Sequence, residues 1–533
     1  MELTPPTPHM KTKNPSSAGS IQEDIDRDLL RHEASQNRMM SDLQPLTAAP
    51  APAPPLSPSD PDPERPQMMN LISITVDKGN PMCYQTIQSA IDDSCPNGHI
   101  IVCEGIYKEN LVITQPGLKI ECQELDPEVY LIGNRGPAVL IDILGSGNSD
   151  RCLIQNIKFI HKGGCSLKKN NTGFVGANPI KELGVNLRRL TKIKHLLLTL
   201  DLYYRVFNSV PFNTGADAVI YVKSGGVSLK NCLLSLSFML RTTQEITPVI
   251  MMDEGTNNLI TNCEMKGNPI FQTTGIVIKN SNCVIKGCSI EGFLQGGIIM
   301  CVTEDTEVKV TNTLVKGCKH AGIQILGVSP TPTVEYCRIE ENMAAGIQVC
   351  SGNSGEILKN NIVQNNDGIE IISSDPTILK NKIINNYYNG VITRALDSLI
   401  CQPKIYLNEI SSNRLNGVIC LGPNNVTRIY DNWVVAYNRM AGIKADSGAS
   451  IVIRKNTIYK NIQQGILISS TASGFMATNT IYENIKANVA LGGNESVNNV
   501  LVENKIYGGR CEGIFIIGNS FFFTNYGKRA VAR

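Results

Sequence analysis

Between Ile357 and Thr393 the chain spells almost the same message twice, ILKNNIVQNNDGIEI and then ILKNKIINNYYNGVI. Repetition at a fixed period of a few tens of residues marks an architecture of stacked units. The echo runs on in both directions. Asn or Cys, then any residue, then an aliphatic recurs at Cys232, Cys263, Cys288, Asn312, Cys337, Asn360, Asn381, Asn408, Asn432, Asn456, Asn479 and Asn504. From Cys263 on, consecutive members lie 21 to 27 residues apart. A Gly followed by an aliphatic comes nine or ten residues after most of them, at Gly297, Gly322, Gly346, Gly390, Gly417, Gly442, Gly465 and Gly513.

A period near 24 fits a leucine-rich repeat, a short helical repeat or a β-helix. Leucine-rich units need several fixed leucines, and these units carry mostly Ile and Val. Helical units need an apolar 3.6 period over about ten residues. The apolar runs here are short, alternating and β-branched, as in GIQIL, GIEII and GILIS, which reads as strand. Three such strands and their turns fill one coil of a parallel β-helix. In that stack each residue sits about 4.8 Å from its equivalent one coil away. Stacked asparagines then bond side chain to side chain along the axis, and Asn tolerates the left-handed backbone of sharp turns. Small buried cysteines fill the same rung. The expected fold class is all-β, a parallel β-helix solenoid whose structural ladder runs from Cys263 to Asn504. The glycines give turns where a Cβ would obstruct.

The ends and one interior stretch differ. Residues 1–70 contain TAAPAPAPPLSPSDPDPERP, expected to be a disordered proline-rich tail, with a short amphipathic helix upstream of it around Ile21, Ile25 and Leu29. Residues 71–162 are expected to hold an N-terminal capping helix, with Tyr84, Ile87 and Ile91 on one face, and the first coils. Residues 163–216 contain no rung. Their stretch NLRRLTKIKHLLLTLDLYYRVF is basic and then apolar with a helical look, so the segment is an irregular insertion or foreign sequence. Coils of about 24 residues occupy 217–520, and 521–533 form a C-terminal cap or tail.

The repeat, and the opening YQTIQSAIDDSCPNGHIIVCEGIYKENLVI, resemble the right-handed parallel β-helix repeat superfamily with its pectin-lyase-like fold. The resemblance covers about residues 72–162 and 217–520, and it implies the right hand together with the general preference of parallel crossovers. The stretch VYLIGNRGPAVLI is similar to the β-helix regions of F-box-only and Shc-SH2-binding-type intracellular proteins. That closer likeness implies substrate recognition in ubiquitination or assembly in signalling, although residues 1–70 hold no F-box.

The formal charge of +2 argues against nucleic acid and polybasic membrane binding. Seventeen cysteines, an odd number with no CxxC pair, fit reduced thiols better than a disulfide framework or a zinc site. With no apolar leader and no membrane-length apolar run, the expected location is cytoplasmic and the expected state a monomer. No phosphate-binding or dinucleotide motif appears, so no cofactor and no metal is expected.

β-helices also host polysaccharide lyases and hydrolases, which need paired carboxylates or acidic calcium ligands. The acidic candidates are Asp253-Glu254, Glu304-Asp305-Glu307 and Asp367 with Glu370. None aligns with an acid one period away and none has an arginine in register, so each reads as a solvated face. The primary expectation is a non-catalytic scaffold for a protein partner, its candidate face formed by Trp433, Tyr387, Tyr388, Tyr437 and Arg439, with no catalytic residue. The alternative is a diverged carbohydrate-active β-helix enzyme.

Overall fold

The computed structural model describes residues 73–531 apart from 125–127, 134–135, 144–150, 162–217, 237–246, 269–272, 302–305, 328–331, 351, 353, 397–398, 494–497, 519–520 and 524–528. The expectations for the tail of residues 1–70 and for the insertion 163–216 lie outside the described residues.

The stretch that repeats is two consecutive coils. Strands Glu356–Leu358, Asn361–Val363 and Asp367–Ile372 make one, and Thr377–Leu379, Lys382–Ile384 and Val391–Arg394 the next. They stack in parallel with Ile357 on Ile378, Ile362 on Ile383 and Ile369 on Val391. Repeated along the chain, this gives a first sheet of 18 strands and a second and third sheet of 15 each. The described interstrand pairings are parallel except the last, where Arg529–Val531 returns antiparallel along Phe521–Phe523. Alternation puts every second side chain inside. Ile362, Ile383, Ile410, Val435, Ile458 and Ile481 form one inward column, fully buried. Burying each such chain is worth about 1.5–3 kcal/mol, and β-branched residues that suit a strand dominate this column.

Two kinds of turn join the first sheet to the second and the second to the third. Both use the same device. A residue in left-handed backbone is followed by a buried Asn. In the first turn Lys359, Lys380, Leu407, Asp431, Lys455 and Thr478 take φ between 52° and 56°. The ladder asparagine is therefore not the left-handed residue, as expected from sequence, but the one after it. Its side chain works instead as a rung. Asn360 Nδ2 donates to Asn381 Oδ1 at 3.0 Å, Asn381 to Asn408 at 3.1 Å, Asn408 to Asn432 at 3.1 Å and Asn432 to Asn456 at 2.9 Å. Asn456 continues to Asn479 at 3.1 Å and Asn479 to Asn504 at 2.9 Å. Earlier coils place buried Cys232, Cys263, Cys288 and Cys337 in this column. Asn312 is a correction to the expected ladder. It takes the left-handed position, φ 49°, and Thr313 fills the rung, its Oγ1 accepting from the Cys288 backbone N–H at 3.4 Å.

A second ladder occupies the other turn. Asn342, Asn365, Asn386, Asn413, Asn438, Asn461 and Asn484 are buried and bonded in sequence, for example Asn386 Nδ2 to Asn413 Oδ1 at 3.0 Å. Its signal in the sequence is an Asn five residues after most first-ladder members. The recurrent glycines serve close approach. A Cβ on Gly390 would lie 2.6 Å from the Gly417 carbonyl oxygen and 2.8 Å from Asn413 Nδ2.

The N-terminal end is covered by helix Ile87–Asp92, capped by Thr86, with Ile87, Ala90 and Ile91 buried beneath it. Glu109 accepts the free Ile87 and Gln88 N–H groups at 3.0 and 2.9 Å, which favours a carboxylate at a helix start. Tyr84 precedes the helix and bridges to Val76 rather than joining its face.

Candidate functional site

The residues singled out from sequence fall on or beside the second sheet. Tyr387, with Arg414 stacked 4.5 Å over its ring, shares a column with Arg439, because Arg414 N–H bonds to the Asn386 carbonyl and Arg439 N–H to that of Asn413. Tyr388 is the next residue and is exposed. Tyr437 belongs to a different column. It meets Tyr459 edge-on at 5.7 Å, and Tyr459, Tyr482 and Tyr507 stack face to face at 5.0 and 5.2 Å. The signal for that column was the recurring NTIY, NTIY, NKIY. Trp433 stands apart at the opposite end of the strand Val434–Ala436 and is 57% exposed. Val434 pairs with Glu409, so Trp433 is one extra residue extruded from the turn. These side chains do not converge on a pocket.

Convergence occurs on the outer face of the third sheet. There Gln324, Gln348, Glu370 and Ile392 follow one another in register. Gln348 Nε2 donates to Glu370 Oε2 at 2.9 Å, and Arg394 Nε donates to Glu370 Oε1 at 3.2 Å. Gln324 Nε2 lies 2.6 Å from His320 Nδ1. Glu370 is thus held from two sides on neighbouring coils. The expectation that no acidic candidate has an arginine in register holds for Glu370, whose register partner is Ile392, but Arg394 reaches it from off the rung. It sits opposite Ile372, two residues past the rung of Glu370, and reaches back diagonally.

Asp367 opens the same strand. Its Oδ1 accepts both the backbone N–H and the side-chain Nδ2 of Asn389, each at 2.9 Å. Burial pushes its carboxyl above the ordinary range, and the nearby charge of Glu370 adds to the push. Among the described carboxyl groups that shift, Asp367 alone goes up, while Glu121, Asp142 and Asp446 go down. The other acids on this face are matched with lysine: Asp142 with Lys223 at 2.7 Å, Asp253 with Lys279 at 3.2 Å and Asp446 with Lys444 at 2.8 Å. Glu304 and Asp305 lie outside the described residues. Among the described residues no three His, Cys, Asp or Glu gather as a metal set, and no helix is long and apolar enough to cross a membrane. Asp367 and Glu370 thus stand three residues apart on one strand in unlike environments, one carboxyl biased toward its protonated form and the other ion-paired with Arg394, and carboxyl groups so separated can divide acid and base roles.

Comparison with curated proteins returns no match. Similar solved structures include the A-module of a mannuronan C-5 epimerase from Azotobacter vinelandii, 11% identical over 71% of this chain and 91% of that one, with a TM-score of 0.39. A family 28 exopolygalacturonase from Yersinia enterocolitica is 11% identical over 84% of this chain and 78% of its own, TM-score 0.32. The catalytic domain of a GH87 α-1,3-glucanase is 9% identical over 87% and 70%, TM-score 0.30. The expectation of a non-catalytic scaffold is corrected accordingly. The three structures named above are carbohydrate-active enzymes rather than scaffolds, and one of the acidic candidates, Glu370, does engage an arginine, Arg394. The model for the right-handed beta helix region matches residues 248–399 and 400–526, more than half of the chain, and with coils stacked in parallel throughout that span the chain belongs to the right-handed β-helix family.

Proposed function

We propose that this chain hydrolyses a glycosidic bond in a polysaccharide, using Asp367 and Glu370. The observation that carries this reading is the unequal pair on one strand: a carboxyl driven up by burial and by the charge of Glu370, three residues on, and that Glu370 itself fixed by Arg394 and Gln348. Both Asn389 bonds converge on Asp367 Oδ1, so its proton belongs on Oδ2. That proton passes to the bridging oxygen as the C–O bond breaks. Water supplies the new C–O bond at the sugar carbon and gives a proton to Glu370. Elimination, the lyase alternative, calls for an uncommitted base beside a sugar acid, and Arg394 is committed to Glu370.

The test is release of reducing ends from a panel of neutral and acidic polysaccharides by the full chain. Turnover is expected on at least one of them. Glu370→Gln and Asp367→Asn are each expected to lower it by about 10²–10⁴-fold with an unchanged far-UV spectrum, the range that a general acid or base contributes. No turnover on any member of the panel, or turnover indifferent to both substitutions, would overturn the assignment.

A further inference from the structure

Asp367 ends a third column of side chains, one that neither turn ladder includes. The residue just before the glycine that opens each third-sheet run is Asp367, then Asn389, Asn416 and Ala441 in successive coils. Each of these glycines bonds through its N–H to the next coil's member, Gly368 to Asn389, Gly390 to Asn416 and Gly417 to Ala441. The side chains are linked as well. The Ala441 N–H donates to Asn416 Oδ1 at 3.2 Å. The Asn416 N–H and Nδ2 both donate to Asn389 Oδ1, at 3.2 and 3.0 Å. The Asn389 N–H and Nδ2 finish the run on Asp367 Oδ1. Its direction is the reverse of the two turn ladders, where the earlier coil donates to the later, as Asn360 does to Asn381 and Asn386 to Asn413. A backbone N–H can only donate, so these three N–H groups settle which end of each amide is oxygen. The coil before Asp367 has Ala345 at this place, and the donation stops at the carboxyl.

We infer that Asn389 and Asn416 are positioning residues for Asp367: their one-way relay delivers the column's donors to Oδ1 and keeps the transferable proton on Oδ2. The role rests on the hydrolysis proposed above, whereas the relay's hold on the proton does not. Asn416 acts through Asn389. It occupies the Asn389 oxygen and thereby keeps the Asn389 nitrogen facing the carboxyl. With that amide turned over, an oxygen would face Asp367 and draw the proton to Oδ1. Donors to the charged form also hold a carboxyl down. On Asp367 the two Asn389 bonds and the charge of Arg394 work against burial and the charge of Glu370. From the coil before, the strand Ala345–Cys350 offers the neutral Gln348. The relay thus tempers a carboxyl that burial alone would leave reluctant to release its proton.

Two readouts on the full chain test this. One is the pH profile of kcat/KM on whichever polysaccharide is turned over. The other is the infrared band of the protonated carboxyl that Asp367→Asn removes, followed against pH. Asn389→Leu takes away the amide and leaves the backbone N–H. It is expected to move the alkaline limb of the profile and the midpoint of the band upward by about one pH unit, because a donor to the charged form is lost. Asn416→Leu is expected to move both in the same direction by less. Asn408→Leu breaks a rung of the first ladder and is expected to move neither. Should Asn389→Leu not fold, Asn389→Ala is read in the same way. The inference falls if the band midpoint stays in place in Asn389→Leu or in Asn416→Leu, or if Asn408→Leu shifts it equally. A shifted band with no turnover on any polysaccharide would sink the hydrolysis and leave the relay standing. Turnover with an unmoved band would do the reverse.

Discussion

Asp367 holds a place that asparagine holds one and two coils later. Asn416 Nδ2 donates to Asn389 Oδ1 at 3.0 Å just as Asn389 donates to Asp367. An Asn at 367 would accept the same bonds without a charge that burial opposes. The charge thus costs stability at a site where the fold offers a cheaper residue, the pattern expected of a group kept for chemistry. The folded-state pKa lies above the unfolded value, so the stabilising contribution is complete below the unfolded pKa of about 3.9 and is lost as pH rises through the folded value. Asp367→Asn is therefore expected to raise Tm at pH 7.5, with the gain vanishing below about pH 4. A drop at pH 7.5 in the thermal scan would mean that the ion itself is stabilised there. The partner Arg394 was hard to see in sequence because its contact is diagonal. Glu370 faces Ile392 across the coils, and only the reach of a long side chain joins it to a residue two positions further on.

At the scale of one coil the sequence is most legible. Strands, turns and inward columns follow from β-branched alternation and recurring Asn and Gly, because every coil solves the same packing problem. Legibility fails where a coil departs from its neighbours. Trp433 lengthens one turn by a residue that the repeat does not announce, and Asn312 stands one residue before the true rung at Thr313. These cases make opposite predictions. Asn408→Leu removes bonds to Asn432 Oδ1 and to the Ile378 and Tyr406 carbonyls, and it strips Asn381 of the acceptor for both its N–H and its Nδ2. With each buried orphan worth about 1–3 kcal/mol, a loss of roughly 3 kcal/mol or more is expected in urea unfolding. Deleting Trp433 restores the five-residue spacing of the neighbouring coils and buries nothing new. Its midpoint is expected to stay near wild type, and a loss as large as that of Asn408→Leu would show that the extra residue holds the turn together.

Over the whole solenoid each coil touches only the one before and the one after, so the two ends differ from everything between them. Interior coils are closed by their neighbours above and below. Among the described residues the first coil has no predecessor, and its strand Ser73–Val76 would present unpaired backbone groups of the kind that recruit another chain. The helix Ile87–Asp92 lies over that coil, contacting Ser73–Val76, His99–Val102 and Leu111–Ile113, with Ile91 only 1% exposed beneath it. A charge at that point cannot be buried and must lift the helix. Ile91→Glu is therefore expected to have two effects that an interior substitution would not. Calorimetry should show a small early transition as the first coils fray, ahead of a main transition close to the wild-type temperature. Light scattering should show mass rising with concentration as the opened edges pair. An equally buried interior change, such as Ile410→Glu, should instead lower the main transition and leave the mass at the wild-type value below it. If Ile91→Glu keeps the wild-type mass at every concentration and melts in one unchanged step, the helix decorates the end without closing it, and the edge of Ser73–Val76 must be protected by its own twist or charge.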